Sequence, residues 1–133
     1  MSTPAQNLEA IRRYLQTLEH GYFDTIRDLF ASEMTIEQMP NRVYPQGVQS
    51  TLRQMAEAFE KGRKLFSSQN YEIKSAVATG DAVALEVLWT GTLAVSFGGR
   101  SEGSQMCAHS AMFFEFRNGK ISSQRNYDCF EPF

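Results

Sequence analysis

Cysteine and histidine are scarce in this sequence, which has two of each among its 133 residues. The cysteines, Cys107 and Cys129, do not form a Cys-x-x-Cys pair, and the histidines do not cluster. We therefore expect no zinc site and no other metal centre, because such sites need several closely spaced ligands. Two free thiols without a disulfide framework indicate a reducing, cytoplasmic location.

Long apolar runs and an excess of one charge are also missing. No stretch of about 18 apolar residues could span a membrane, and residues 1–13 lack the apolar segment of a signal peptide. The 13 basic and 15 acidic residues give a net charge of −2. We therefore expect neither a membrane nor a nucleic acid as a partner.

What the sequence does contain is enough apolar material for a core. Hydrophobic residues make up 42% of the chain and aromatic residues 12%, with ten Phe among them. A chain of this length normally forms one domain that buries about two-thirds of its unfolded surface. We predict a single soluble domain over residues 1–133.

Apolar residues at helical spacing predict three helices in the first half of the chain. The first ends at His20-Gly21, where Gly suits a left-handed residue. The second begins with Asp24 as its N-cap, and the third continues to about residue 64. Their apolar stripes are, in order, Leu8, Ile11, Leu15 and Leu18; Ile26, Leu29 and Phe30; and Val48, Leu52, Met55 and Phe59.

The pattern changes to that of β-strands after Phe66. Four strands are predicted at residues 71–79, 82–96, 105–117 and 120–130, separated by Gly-containing hairpin connections. An earlier strand, residues 34–38, ends before Pro40. Long strands in a small sheet must twist and coil. We therefore predict an α+β fold in which the three N-terminal helices close a cup made by a strongly curved antiparallel sheet.

The last hairpin decides which side chains face the cup, because side chains alternate across a sheet. We prefer a three-residue turn, 117–119, with Gly119 left-handed, which pairs Met112 with Gln124. A two-residue turn at 118–119 would instead set Asp128 across from His109, and a bulge could shift either register. The preferred register places on one face Met112, Phe114, Phe116, Gln124, Asn126 and Asp128.

Such a face is apolar on one strand and polar on the next. A cup that is partly open to water or to a ligand accommodates this mixture. The alternative is that the polar residues of the last strand lie on the exposed side of the sheet.

Four short phrases carry a family resemblance over residues 8–130. They are Asp24-Thr25-Ile26-Arg27-Asp28-Leu29-Phe30, Trp89-Thr90-Gly91-Thr92, Asn118-Gly119-Lys120-Ile121 and Arg125-Asn126-Tyr127-Asp128. With these four phrases in this order, the chain resembles the nuclear transport factor 2-like superfamily, and within it the SnoaL-like, polyketide cyclase-like proteins. The resemblance implies a cone-shaped, cystatin-like α+β barrel. The superfamily includes isomerases, cyclases, hydrolases, dehydratase-type enzymes and binding modules, so the fold does not choose a function.

The resemblance also implies roles for single residues. Tyr14 falls where ketosteroid isomerases of this fold have a helical Tyr, but Gln38 replaces their proton-shuttling Asp and cannot take up a proton. Met112 replaces a second hydrogen-bond donor, so steroid isomerisation by that mechanism is not expected. SnoaL-like cyclases use an acidic residue near the end of the last strand. Asp128 lies in that region, and Asn126 aligns equally well under a two-residue shift.

We assign the catalytic roles to Asp128 and Tyr14. Apolar neighbours would remove water from the Asp128 carboxylate and raise its pKa towards a range useful for proton transfer. The Tyr14 hydroxyl could donate to a bound oxygen, the alternative being an ordinary half-buried core Tyr. Glu86 is a second acid if it points inward, and an exposed, ion-paired residue if it does not. The expected substrate-binding residues are Gln38, Asn126, Met112, Phe114, Met55, Phe59 and Glu86.

A second group of residues is expected on the convex face of the sheet. The preferred register points His109 outward, opposite Tyr127, and sets Cys107 opposite Cys129 as two thiols. Trp89 and Phe113 would also lie on this face, next to Tyr127. We expect a twofold homodimer through this surface.

The sequence thus predicts an enzyme that acts on a small, mostly apolar organic molecule by acid/base chemistry, without a cofactor. Cyclisation, isomerisation and dehydration fit equally well. The alternative is a non-catalytic module that binds a hydrophobic ligand or forms a dimer. A cup completely filled by Met55, Phe59 and Phe114 would favour a third reading, a purely structural dimerisation domain.

Overall fold

The structure, a computed structural model, describes residues 2–133. Two helices and six strands make up the fold, with two short 3-10 turns between the first helix and the first strand. In chain order they are α1 (Pro4–His20), the turns Phe23–Thr25 and Arg27–Leu29, β1 (Phe30–Gln38), β2 (Val48–Thr51), α2 (Leu52–Leu65), β3 (Phe66–Thr79), β4 (Ala82–Leu93), β5 (Gln105–Arg117) and β6 (Lys120–Phe130). No helix within residues 2–133 is long and apolar enough to cross a lipid bilayer.

Reciprocal capping boxes begin both helices. Thr3 and Gln6 cap α1, and Thr51 and Gln54 cap α2, so that backbone donors at each helix start are satisfied. Because Thr51 is the cap, α2 starts at Leu52, and Val48 belongs to a strand that we did not predict. Gly21 follows α1 in an extended conformation, with φ −118°, and not in the left-handed one we expected.

The predicted second helix is wrong. The backbone N–H groups of Thr25, Ile26 and Leu29 each donate to a carbonyl three residues earlier, which forms 3-10 turns in place of an α-helix. Phe30 then enters β1, where it is 3% exposed. Burial of Phe30 as a strand residue leaves too few residues for a helix between α1 and β1.

The six strands form one mixed sheet in the order β2-β1-β6-β5-β4-β3. The predicted antiparallel meander is present in β3 to β6, but β1 runs parallel to β6, so the sheet is not wholly antiparallel. This parallel pairing sets Gln38 beside Asn126 in register. It joins two segments far apart in the sequence, and local patterns therefore give no sign of it.

The turn between β5 and β6 differs from the one we preferred. It has two residues, Asn118 at φ +52° and Gly119 at φ +78°, the pair of positive angles that a type I′ hairpin requires. Phe116 pairs with Ile121, and one extra residue, Ser122, then bulges from β6. Beyond the bulge Phe114 pairs with Gln124, two residues away from the partner we predicted.

The bulge restores the side-chain alternation that the shorter turn would otherwise reverse. Phe114, Met112 and Ser110 are therefore on the same face as their partners in β6, which are Gln124, Asn126 and Asp128. We call this the inner face. Most of its buried apolar residues form one core cluster with residues of α1 and α2, and a second cluster contains Trp89, Leu93, Met106 and Ala108.

Replacing Gly119 by Ala tests the two-residue turn. A Cβ at Gly119 meets no atom closer than 3.8 Å, so the cost is that of the left-handed backbone alone, about 1–2 kcal/mol of unfolding free energy. Asn118→Gly is the control and should change it by less than about 0.5 kcal/mol. Urea unfolding measures both, and an unaffected Gly119→Ala variant would contradict the assigned turn.

Candidate functional site

Two adjoining chambers lie between the inner face of the sheet and the helices. The larger has a volume of about 540 Å³ and the smaller about 210 Å³. Asp128 and Ser110 line the larger one, whereas Tyr14 and Gln124 line the smaller one. The two are joined, because ten residues line both: Gln38, Tyr44, Val48, Ser50, Ala58, Gly62, Gln69, Tyr71, Met112 and Asn126.

A chain of hydrogen bonds runs from α1 along β6 towards these chambers. The Tyr14 hydroxyl donates to Gln124 Oε1 at 3.0 Å, and Gln124 Nε2 donates to Asn126 Oδ1 at 2.9 Å. The three residues are 3%, 2% and 7% exposed. Each amide oxygen is thus occupied, and the donor at the end of the chain, Asn126 Nδ2, has no hydrogen-bond acceptor within residues 2–133. Asn126 lines both chambers, and this N–H is therefore available to a bound molecule.

The Tyr14 hydroxyl is fixed as a donor by its surroundings. Burial raises the pKa of Tyr14 well above its usual value, the hydrogen bond to Gln124 opposes this shift, and the negative charge of Asp128 adds to it. The hydroxyl therefore stays protonated. Since it donates to Gln124, Tyr14 positions the amides of β6 and does not present its proton to the cavity.

Asp128 sits in the larger chamber and accepts a hydrogen bond from Ser110 Oγ at 2.7 Å. Burial raises the pKa of Asp128, and the Ser110 hydrogen bond, which favours the charged form, opposes the rise. A carboxyl group held in this balance can both accept and release a proton.

Among residues 2–133, Gln38 is the one cavity residue with a buried side-chain oxygen that lacks a hydrogen-bond partner. Its Oε1 atom is buried and receives no hydrogen bond from residues 2–133, although Gln38 lines both chambers. An unsatisfied buried oxygen costs free energy. A donor on a bound molecule would remove that cost once the Gln38 side chain turned this oxygen towards the cavity.

Tyr71, Gln69 and Trp89 form a second polar group that our sequence analysis missed. Tyr71 Oη donates to Gln69 Oε1 at 3.3 Å, and Trp89 Nε1 donates to the same oxygen at 3.0 Å. Burial raises the pKa of Tyr71 most, and charge interactions with Tyr14 and then Asp128 add to the rise. Tyr14, Tyr71 and Asp128 therefore share one electrostatic environment.

Our placement of Trp89 on the convex face is wrong. Trp89 is 9% exposed, lines the larger chamber and meets the rings of Phe66 and Phe130 edge-on. Its cross-strand partner is the buried Ala108. The alternation of buried residues along β4, at Val83, Leu85 and Val87, continues to Trp89, and this signal could have placed it inward.

The other predicted site residues divide into those at the cavity and those away from it. Met112 lines both chambers, and Met55 and Phe59 line the smaller one. Phe114 lines neither, because its side chain is 1% exposed and packs edge-on against the Tyr14 ring. Glu86 is exposed on the opposite, outer face, so the structure does not bring it to the site.

The outer face carries the remaining residues, with a register that corrects two pairings. His109 is exposed there as predicted, but it pairs with Cys129 and not with Tyr127. Cys107 lies opposite Glu131, whose N–H donates to the Cys107 carbonyl at 2.9 Å, and so not opposite Cys129. Phe113 and Tyr127 form an exposed edge-on pair. The homodimer that we expect through this face stays a prediction.

Comparisons with known proteins agree on the fold. A family model described as SnoaL-like polyketide cyclase matches residues 8–128. IdmH, a candidate polyketide cyclase from Streptomyces antibioticus, has a TM-score of 0.79 at 20% identity, over 92% of this chain and 91% of its own. An LEH-like epoxide hydrolase from M. tuberculosis has a TM-score of 0.73 at 17% identity, over 96% and 84%. No curated protein sequence matches the chain.

The Ser110 hydrogen bond makes a testable contribution to the pKa of Asp128. In the wild type, we expect the Asp128 carboxyl carbon to titrate with a midpoint above the usual 3.8. Ser110→Ala removes a donor to the charged form and should raise the midpoint further. Carbon NMR of the carboxyl groups measures both values. Ser123→Ala, which removes a hydroxyl bonded to Glu115, is the control and should leave Asp128 unchanged. A midpoint that falls in Ser110→Ala would contradict the assignment.

Because the pKa of Asp128 is raised by folding, the free energy of unfolding should fall as this carboxyl group ionises. The folded protein binds the Asp128 proton more tightly than the unfolded chain does, so ionisation of Asp128 costs stability as pH rises from 3.8 through the folded midpoint.

Proposed function

The chain belongs to the SnoaL-like polyketide cyclase family, and we propose that it catalyses cofactor-independent acid/base chemistry on a small, mostly apolar organic substrate. The observation that supports this most directly is the Asp128 carboxyl group, which has a raised pKa and lines a cavity of about 540 Å³. A group of this kind in a cleft is typical of a functional site.

In this proposal Asp128 removes a proton from a carbon atom next to a substrate carbonyl. The electron pair of the C–H bond moves towards the carbonyl oxygen, which becomes an enolate. The free Asn126 Nδ2–H donates to that oxygen as its negative charge develops, and such a donor acts most strongly where water is excluded. Gln38 Oε1, which has no protein partner, accepts a hydrogen bond from a hydroxyl or enol group on the same substrate.

Tyr14 acts through the amides of β6. Its hydrogen bond holds Gln124 with the amide nitrogen towards Asn126, which leaves Asn126 to donate. The apolar part of the substrate packs against Met55, Phe59 and Met112. Protonated Asp128 then returns its proton to another carbon, which gives isomerisation, or to a leaving hydroxyl, which gives dehydration. In a cyclisation the enolate carbon instead attacks a second carbonyl, whose oxygen takes the proton from Asp128. Isomerisation, dehydration and cyclisation therefore share one first step, and we propose this step and not one of the three outcomes.

A binding module without turnover is the second candidate. It is supported by Gln38 and Asn126, whose free acceptor and donor would hold a ligand equally well if Asp128 transferred no proton. The two candidates differ in whether a bound carbon acid is deprotonated.

A carbon acid with a coloured product distinguishes them. Nitrobenzisoxazole opens when a base removes the C–H proton of its isoxazole ring and the N–O bond breaks, and its phenolate product absorbs visible light. We expect saturable ring opening by the wild type, with a rate that rises with pH as Asp128 ionises. Asp128→Asn should lower the rate by about a hundredfold or more, in the range that general bases contribute.

Asp81→Asn is the matched control, because it makes the same chemical change at an exposed turn residue that lines neither chamber. Its rate should equal that of the wild type. Unchanged turnover in Asp128→Asn would show that another group is the base. Probe binding without ring opening in the wild type would favour the binding module.

A further inference from the structure

Four side chains of the types that bind metals lie together on the outer face, at the open end of the β5–β6 hairpin. His109 and Cys129 are cross-strand partners. Cys107 and Glu131 are opposite each other two residues further along, in the next pair on the same face, where the Glu131 N–H donates to the Cys107 carbonyl. Two adjacent cross-strand positions thus carry two thiols, one imidazole and one carboxylate on one face of the sheet.

The ligand atoms of three of these residues are already close. Sγ of Cys107, a ring nitrogen of His109 and a carboxylate oxygen of Glu131 all lie within 4.8 Å of one another. His109 Nε2 and Glu131 Oε2 are 3.0 Å apart. Ligands around one tetrahedral zinc ion are about 2.0–2.3 Å from the metal. Small side-chain rotations therefore suffice to bring the three atoms onto one ion.

Cys129 is placed to supply the fourth ligand. As the cross-strand partner of His109, its Cβ is expected about 4.5–5.5 Å from that of His109. A disulfide is not the reason for two cysteines here, because Cys107 and Cys129 are diagonal neighbours. Diagonal positions are about 7–8 Å apart, beyond the usual reach of a disulfide, about 7 Å between Cα atoms. A metal ion between the sulfurs spans the longer distance.

From this arrangement we infer that Cys107, His109, Cys129 and Glu131 bind one Zn²⁺ ion on the outer face of the sheet. Two sulfurs, one imidazole nitrogen and one carboxylate oxygen make a donor set that suits zinc in tetrahedral geometry. The side chains of His109 and Glu131 are 63% and 57% exposed, so the ion reaches the site directly from solvent.

The ion would clamp the end of β6 to β5. Cys129 directly follows Asp128, and the clamp therefore acts on the strand segment that holds the inner carboxylate against Ser110. The inference does not depend on the proposed function, because the four ligands lie on the face opposite the cavity.

Isothermal titration of the untagged full chain with zinc chloride, under a phosphine reductant, tests the site. We expect one Zn²⁺ per chain and a rise in Tm, since an ion that binds only the folded state stabilises it. Cys107→Ser, Cys129→Ser and His109→Gln should each weaken binding by more than about a hundredfold, because even residues that only orient a ligand cost about ten- to hundredfold. His20→Gln, at the other histidine, should leave affinity and stoichiometry unchanged.

Cobalt provides a second readout that does not depend on stability. Co²⁺ in place of Zn²⁺ gives a sulfur-to-cobalt charge-transfer band whose intensity reports the number of thiolates. The band intensity should correspond to two thiolates in the wild type and to one thiolate in each cysteine variant. Wild-type affinity in Cys129→Ser, or a stoichiometry of one ion per two chains, would overturn the single-chain, four-ligand site.

Discussion

The fold depends on satisfying a row of polar side chains inside an otherwise apolar core. Gln124 and Asn126 are 2% and 7% exposed, and buried amides without partners would cost several hydrogen bonds' worth of stability. Tyr14 meets this demand from α1, so one hydroxyl fixes the helix against the last strand. The direction of the resulting chain, from hydroxyl to Gln124 to Asn126, leaves one donor directed at the cavity. The same contact that secures the core therefore prepares the site.

The sequence was sufficient to predict which residues of β5 and β6 share a face. It was not sufficient to predict the turn length and the bulge that produce this alternation. We preferred a three-residue turn, and the chain instead combines the two-residue turn at Asn118 and Gly119 with a bulge at Ser122. The two departures compensate, because each shifts the alternation by one residue. Asn-Gly is itself a strong signal for the two-residue turn. Nothing in the local sequence marks Ser122 as a bulge, since its pairing depends on Glu115 and Phe116 across the strand.

Long-range pairing explains most of what the sequence left open. The hairpins of β3 to β6 follow from local turns, whereas the parallel β1–β6 pair joins residues about 90 positions apart along the chain and sets Gln38 beside Asn126. In the site, Asp128, Tyr14, Gln38 and Asn126 could be proposed one at a time. The Tyr71–Gln69–Trp89 group and Ser110 could not, because each depends on the pairing of separate strands. The outer cluster was missed for a related reason: its ligands alternate along two strands and form no Cys-x-x-Cys motif.

In the proposed site, Asn126 presents a free amide N–H to a ligand inside the cavity. Titration with naphthol, an aromatic molecule with one hydroxyl oxygen, tests it through the side-chain amide resonances of the protein. We expect the Asn126 amide protons to move downfield as naphthol saturates the cavity, while those of Asn118 in the exposed β5–β6 turn stay fixed. Saturable naphthol binding that leaves the Asn126 resonances unmoved would contradict it.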